Sequence, residues 1–264
     1  MILERVYTPG LAQVAYLIGD ERAGVAAVID PRRDVDEYLA LADTRGVRIT
    51  HTFETHVHAD FVSGALELAH ATGATIYAGR RGESEFEHVP VDDGDTIELG
   101  ALRITAMWTP GHTPEHISYL VEDTDDPNRT PMLFTGDMLF VGEVGRPDLL
   151  GEGRTNELID MLYNSIFERL MPLDDAIVVY PGHGAGSSCG RTIGDADSTT
   201  MGQEKRFNYA FRPRDRAAFR EAIMAGMPPA PTYYPVLKRI NKAGATPLAE
   251  LPDGEGLNAD DLDR

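Results

Sequence analysis

Thr55-His56-Val57-His58-Ala59-Asp60 is the stretch from which the fold is read. It follows a β-rich run at 47–53 and precedes a helix predicted over 63–72. On an extended segment, residues two apart project to one side, so His56 and His58 are expected to face a common site. Three more polar groups follow predicted strands in the same way. His112 lies in Thr109-Pro110-Gly111-His112-Thr113, Asp137 in Phe134-Thr135-Gly136-Asp137, and His183 in Tyr180-Pro181-Gly182-His183-Gly184. Each stands beside glycine, where backbone approaches a ligand closely. One such residue reads as a turn. Four of them, one carrying H-x-H-x-D, read as a metal site assembled where strand ends converge on one edge of a sheet.

Outward from that segment, short β-rich runs alternate with helical stretches. Residues 13–18 and 25–29 form a hairpin-like pair around Gly19-Asp20-Glu21 and Gly24. Helical spacing over 34–45 places Asp34 as N-cap and Gly46 as stop. Further strands are predicted over 75–78, 96–99, 102–107, 117–121, 132–135 and 176–180. Helices are predicted over 156–170, 199–208, 214–225 and 234–242, and a glycine-rich loop over 142–153. Two runs of strands, each followed by helices, predict an α/β fold of two sheets packed face to face with helices outside.

The chain has 264 residues, 43 acidic against 24 basic, and a formal charge of −19. Such a surface repels a phosphate polyanion, so nucleic acid is not an expected partner. No window approaches the ~18 apolar residues of a membrane helix. The N-terminus has no basic region ahead of an apolar one, so no secretory leader is expected. The single cysteine, Cys189, excludes an internal disulfide and a cysteine-based zinc site. The expected compartment is the reducing cytoplasm.

T-H-x-H-x-D, T-P-G-H-T, T-G-D and P-G-H, in this order, resemble the metallo-β-lactamase fold superfamily. The resemblance implies an αββα four-layer sandwich with its metal at one edge. Residues 1–242 would then be the catalytic domain and 243–264 an acidic tail or linker. Dinuclear hydrolases of the superfamily, such as glyoxalase II, carry H-x-H-x-D-H. Here the last position is Phe61, which cannot ligate and so favours one metal. Two histidines and one carboxylate suit non-haem Fe(II), whereas a hydrolase would use zinc. The residues alone leave that choice open.

A narrower resemblance joins residues 56–64, Gly145-Arg146-Pro147-Asp148 and residues 180–190 to persulfide dioxygenases, in the subgroup often fused to a rhodanese domain. It implies one Fe(II) per chain, held by His56, His112 and Asp137. His58, Asp60 and His183 become groups that orient ligands or solvent. The implied reaction takes a low-molecular-weight thiol persulfide, such as glutathione persulfide, with O2 and water to thiol and sulfite. Arg146 is expected either to bind a thiol carboxylate or to hold its loop through Asp148. Cys189 is either packing or a thiol that carries sulfur. Trp108 reads as core, and His51, His70, His88 and His116 receive no role. A rhodanese-type sulfurtransferase and a second copy of the chain, as a homodimer, are the expected protein partners. The alternative function is a zinc thioester hydrolase of the glyoxalase II type.

Overall fold

A computed structural model describes residues 1–212 and 215–251. One sheet holds six strands in sequence order: β1 (Ile2–Thr8), β2 (Gln13–Asp20), β3 (Val25–Ile29), β4 (Arg48–Phe53), β5 (Thr75–Gly79) and β6 (Val89–Val91). The first two pairings are antiparallel and the last three parallel. The parallel pairings need crossovers. Helices α1 (Asp36–Arg45) and α2 (Ala65–Thr72) supply two of them.

The second sheet contains β7 (Thr96–Leu99), β8 (Leu102–Trp108), β9 (Ile117–Asp123) and β10 (Met132–Gly136). A short hairpin of β11 (Leu139–Phe140) and β12 (Glu143–Val144) follows. Strands β13 (Val178–Pro181) and β14 (Thr199–Thr200) complete the sheet in the order β14-β13-β10-β9-β8-β7. Helices α3 (Glu152–Asn164), α4 (Met201–Phe207), α5 (Arg216–Met224) and α6 (Tyr234–Ala243) lie around it in the chain.

Strand β2 shows why two sheets stack. Tyr16 and Ile18 point inward to a core shared with Ile29, Phe53, Ile104, Tyr119 and Phe134. Ala15 and Leu17 point outward, into a cluster with Tyr38 of α1 and Leu68 of α2. The strand is therefore apolar on both faces, because both are covered. On the far side, Leu133 of β10 and Val179 of β13 pack with Leu162 of α3 and Phe219 of α5. The expected αββα order is thus the observed one.

Two expectations need correction. Asp34 does not cap α1; Val35 takes that position without a side-chain bond, while Gly46 does end the helix in a left-handed conformation (φ 65°). The segment after β4 is a series of bends, not extended chain, and although the His56 and His58 rings lie 4.2 Å apart, only His56 gathers with His112 and Asp137. The start of the expected tail is packed: the Leu248 N–H bonds to Glu67 at 2.8 Å, and Gly244 abuts Leu66 and Phe86. The rest of that tail, 252–264, lies outside the described residues. Among the described residues, no helix is long and apolar enough to cross a membrane.

Candidate metal centre

Backbone bonds knit the two sheets together at one edge. The Ile117 N–H reaches the Thr55 carbonyl at 2.7 Å, and the Val14 N–H reaches that of Gly182 at 2.7 Å. The ends of β4, β8, β10 and β13 meet there. One donor atom each from His56, His112 and Asp137 gathers within 4.8 Å of the others, all three residues being buried. Asp137 Oδ2 lies 3.5 Å from His112 Nε2 and 3.9 Å from His56 Nε2. That oxygen is buried and has no hydrogen-bond partner. A buried carboxylate oxygen without a partner is costly, and a cation held between it and two imidazoles removes the cost. The donor set therefore fits a metal.

Both imidazoles are aimed by their other nitrogen. His112 Nδ1 donates to the Arg146 carbonyl at 2.8 Å. His56 Nδ1 donates to Thr55 Oγ1 at 2.9 Å, and that hydroxyl donates to Asp30 Oδ2 at 2.7 Å. Each tautomer thus presents a bare Nε2 to the site. Burial, reinforced by neighbouring imidazoles, holds His56 well below the usual histidine range. Burial also lowers His112. Both stay neutral and ready to ligate. Thr55→Val keeps the shape but leaves His56 Nδ1 and one Asp30 oxygen without this bond. Metal affinity should fall by about 10–100-fold, read by competition with a chelator; unchanged affinity would mean that packing alone aims the ring.

His183 occupies the place where a second metal would be sought. Its Nδ1 bonds to Asp137 Oδ1 at 2.7 Å and its Nε2 to Asp60 Oδ2 at 2.8 Å. Burial opposes the charge on this ring, but two carboxylates outweigh it and raise His183 well above the usual range. With Asp60 and Cys189 it also forms a second buried group of donor atoms, all within 4.8 Å of one another. Burial would raise Asp137 too, yet the His183 charge holds it below the usual carboxylate range. Phe61 is buried, its ring 4.4 Å from that of His58. His58 does not join the triad. Its Nε2 bonds to Asp30 at 3.0 Å and lies 3.4 Å from Glu54. Burial is again outweighed, here by Asp30, and His58 is raised to about 9.

Arg146 is fully buried and makes a two-pronged pair with Asp148 at 2.6 and 2.7 Å. It also donates to the Ser188 and Pro228 carbonyls. Of its two expected roles, this geometry matches loop-holding: the guanidinium has no exposed face to meet a substrate. Cys189 is likewise buried, 3.6 Å from the Tyr234 hydroxyl. Burial, then the charges of Asp137 and Asp60, push its thiol well above the usual range, which does not suit a sulfur-carrying thiolate. Trp108 packs against the inter-sheet core and donates to the Pro114 carbonyl.

Several supporting residues escape a sequence reading. His116, given no role there, accepts the Asp137 N–H on its Nε2 at 3.1 Å. Burial lowers it to about 3, so it stays a neutral acceptor. Asp30 accepts from Thr55 N–H, Thr55 Oγ1 and His58, and holds a left-handed backbone (φ 51°) to do so. Its signal was Asp30-Pro31 directly after a β run. Asn241 of α6 donates to the His58 and Phe61 carbonyls and accepts the Ser63 N–H, stapling that helix over the H-x-H-x-D segment.

Known proteins share this fold. A metallo-beta-lactamase from Staphylococcus aureus superimposes with a TM-score of 0.86 at 38% identity, covering 93% of this chain and 73% of that one. ETHE1 from Myxococcus xanthus does so at 0.79 and 31%, covering 92% and 99%. A hydroxyacylglutathione hydrolase of Dictyostelium discoideum is 33% identical over 172 residues, 64% of this chain and 61% of its own length. The chain thus spans about three fifths of that hydrolase. Residues 8–183, which include all three triad residues and His183, match the model of one family. With the αββα sandwich and a donor triad at its edge, the chain belongs to the metallo-beta-lactamase superfamily.

Proposed function

We propose that the chain is a persulfide dioxygenase with one non-haem Fe(II) per chain, held by His56, His112 and Asp137. The observation that carries this reading is the double commitment of His183. With both ring nitrogens bonded to carboxylates and Phe61 at the H-x-H-x-D-H position, a second metal beside Asp60, His183 and Cys189 would have to displace His183 from a carboxylate and would lack the last histidine of that motif. Two neutral imidazoles and one carboxylate leave a divalent ion with net positive charge, which draws a persulfide anion. Bound there, Fe(II) would supply open coordination positions and the redox chemistry of oxygen transfer. The balanced reaction is R-S-SH + O2 + H2O → R-SH + sulfite + 2 H⁺.

The chain's own residues keep that site in order. Thr55 and the Arg146 carbonyl fix the two rings, His116 fixes the Asp137 backbone, and His183 bonds the second oxygen of Asp137. A rhodanese-type sulfurtransferase is the class of partner that would form or consume such a persulfide. The likeness to the Dictyostelium hydrolase favours a second reading, a zinc thioester hydrolase. Metal analysis and oxygen uptake on anaerobically purified protein separate the two. One iron per chain with sulfite formation supports the dioxygenase. Two zinc ions per chain with cleavage of a glutathione thioester would replace it.

A further inference from the structure

The triad is closed to solvent: His56 is 4% exposed, and His112 and Asp137 are 1% exposed. A groove of about 750 Å³ between α6 and the loop at 148–154 reaches Val57 and Pro114, but none of the three ligands lines it. A second void does touch His56. It holds only about 20 Å³, room for one water, and Asn241, Gly244 and Ala245, at and just past the end of α6, share its lining. A thiol persulfide or a thioester is far larger than a water. Part of the wall must therefore move before either meets the metal.

The wall best able to move is α6. Tyr234 and Asn241 on its inner face are buried, whereas Tyr233, Val236 and Ile240 are exposed. It gives Tyr234 to a small apolar cluster with Ala59, Phe140, Cys189 and Ile193, and among the described residues nothing to the three larger cores. What holds it is mainly polar. Asn241 bonds the His58 and Phe61 carbonyls and the Ser63 N–H at 2.7–2.9 Å. The Glu85 N–H reaches the Lys242 carbonyl at 2.8 Å, and Lys242 pairs with Glu83 at 3.3 Å. Burial disfavours the Lys238 ammonium, and the charge of Glu115 supports it. Groups parted from such bonds find water, so each bond adds little net. On either side of α6, residues 227–231 and 244–247 form neither helix nor strand. Pro228, Pro229 and Pro231 have no N–H to tie them down. Arg146 anchors the near side through the Pro228 carbonyl at 2.7 Å, and Arg33 and Glu67 hold the far side at Thr246 and Leu248.

We propose that α6 is a lid over the metal centre, tilting between these two anchors, with Asn241 as its latch. Substrate meets the triad only when the Asn241 bonds part and α6 lifts. The opening is local, since no large core is pulled apart. Arg146 then serves the lid as well as its own loop, because one guanidinium nitrogen bonds both Asp148 and the Pro228 carbonyl. A lid of this kind serves a dioxygenase and a thioester hydrolase alike.

The test uses the enzyme with the metal it carries on anaerobic purification. Asn241→Ala removes the latch without changing a triad residue. Extraction of the metal by o-phenanthroline and reloading of the stripped protein should both speed up by about tenfold or more, as expected for three lost hydrogen bonds. The equilibrium affinity should stay unchanged, because a gate acts on entry and exit alike. Tyr234→Phe, which keeps the ring and loses the hydroxyl beside Cys189, should give a smaller rise in both rates. Amide hydrogen exchange should show α6 opening ahead of β10 and β13, and faster still in Asn241→Ala with those strands unchanged. Weaker affinity with no faster loading would make Asn241 a positioning residue for the H-x-H-x-D segment and overturn the lid. Unchanged rates in both variants, or α6 amides that exchange only with the whole fold, would overturn it too. Faster loading and extraction in a protein that takes up no oxygen with any persulfide would uphold the lid and remove the dioxygenase reading.

Discussion

Asp137→Asn should empty the metal site and abolish turnover. His183 Nδ1 donates to Asp137 Oδ1, so an asparagine must place its oxygen there to avoid two donors facing each other. Its NH2 then takes the Oδ2 position, 3.5 Å from His112 Nε2 and 3.9 Å from His56 Nε2, and offers the metal no lone pair. The only protein anion among the three ligands is lost as well. Metal affinity should drop by more than the ~100-fold typical of groups that act behind a ligand. Asp60→Asn should be milder, about 10–100-fold. Its amide oxygen can still accept from His183 Nε2, and Asp60 lies outside the triad. Metal titration of both variants, with oxygen uptake normalised to bound iron, decides the matter. Loss of metal in Asp60→Asn with retention in Asp137→Asn would rebuild the site around the other carboxylate.

What the sequence disclosed follows from the range of each signal. Residues 25–29 are predicted as a strand and are one, because apolar residues and a glycine boundary are local features. Strand β6 has three residues and β11, β12 and β14 have two, too few to carry a period. They exist because neighbouring strands offer them hydrogen bonds. The triad residues are legible because each follows a strand, His56 in H-x-H-x-D and His112 and Asp137 beside a glycine. The distinction between His56 and His58 is not, since it depends on Asp30 and Glu54, 28 and 4 residues away in the chain. His116 is only four residues from His112, yet its role as acceptor for Asp137 needs the turn 109–116 to close, through the Thr109 N–H to the His116 carbonyl.

Gly136→Ala should be among the most damaging single-methyl additions this chain can receive. Gly136 has a φ of 46°, a region where an L side chain costs about 1 kcal/mol. Its added Cβ would stand 2.4 Å from Thr55 Oγ1, 2.7 Å from Thr55 Cβ and 2.8 Å from His116 Nε2. Neither neighbour is free to yield. Thr55 is pinned by its N–H and hydroxyl to Asp30 and by its carbonyl to Ile117. His116 is held by Thr109 and by the Asp137 N–H. Overpacking of a close-packed interior adds about 1–3 kcal/mol to the backbone cost. The total expected loss is therefore about 2–4 kcal/mol. Metal affinity should fall with it, since Thr55 aims His56 and His116 positions Asp137. Gly142→Ala is the control: its φ is 71°, but nothing lies within 4 Å of the new Cβ, so only the backbone cost applies. Denaturant midpoints of the two variants, followed by metal titration, separate strain from crowding. If Gly136→Ala unfolds at the same midpoint as Gly142→Ala and binds metal as the parent does, Thr55 and His116 do not hold the site in the way described.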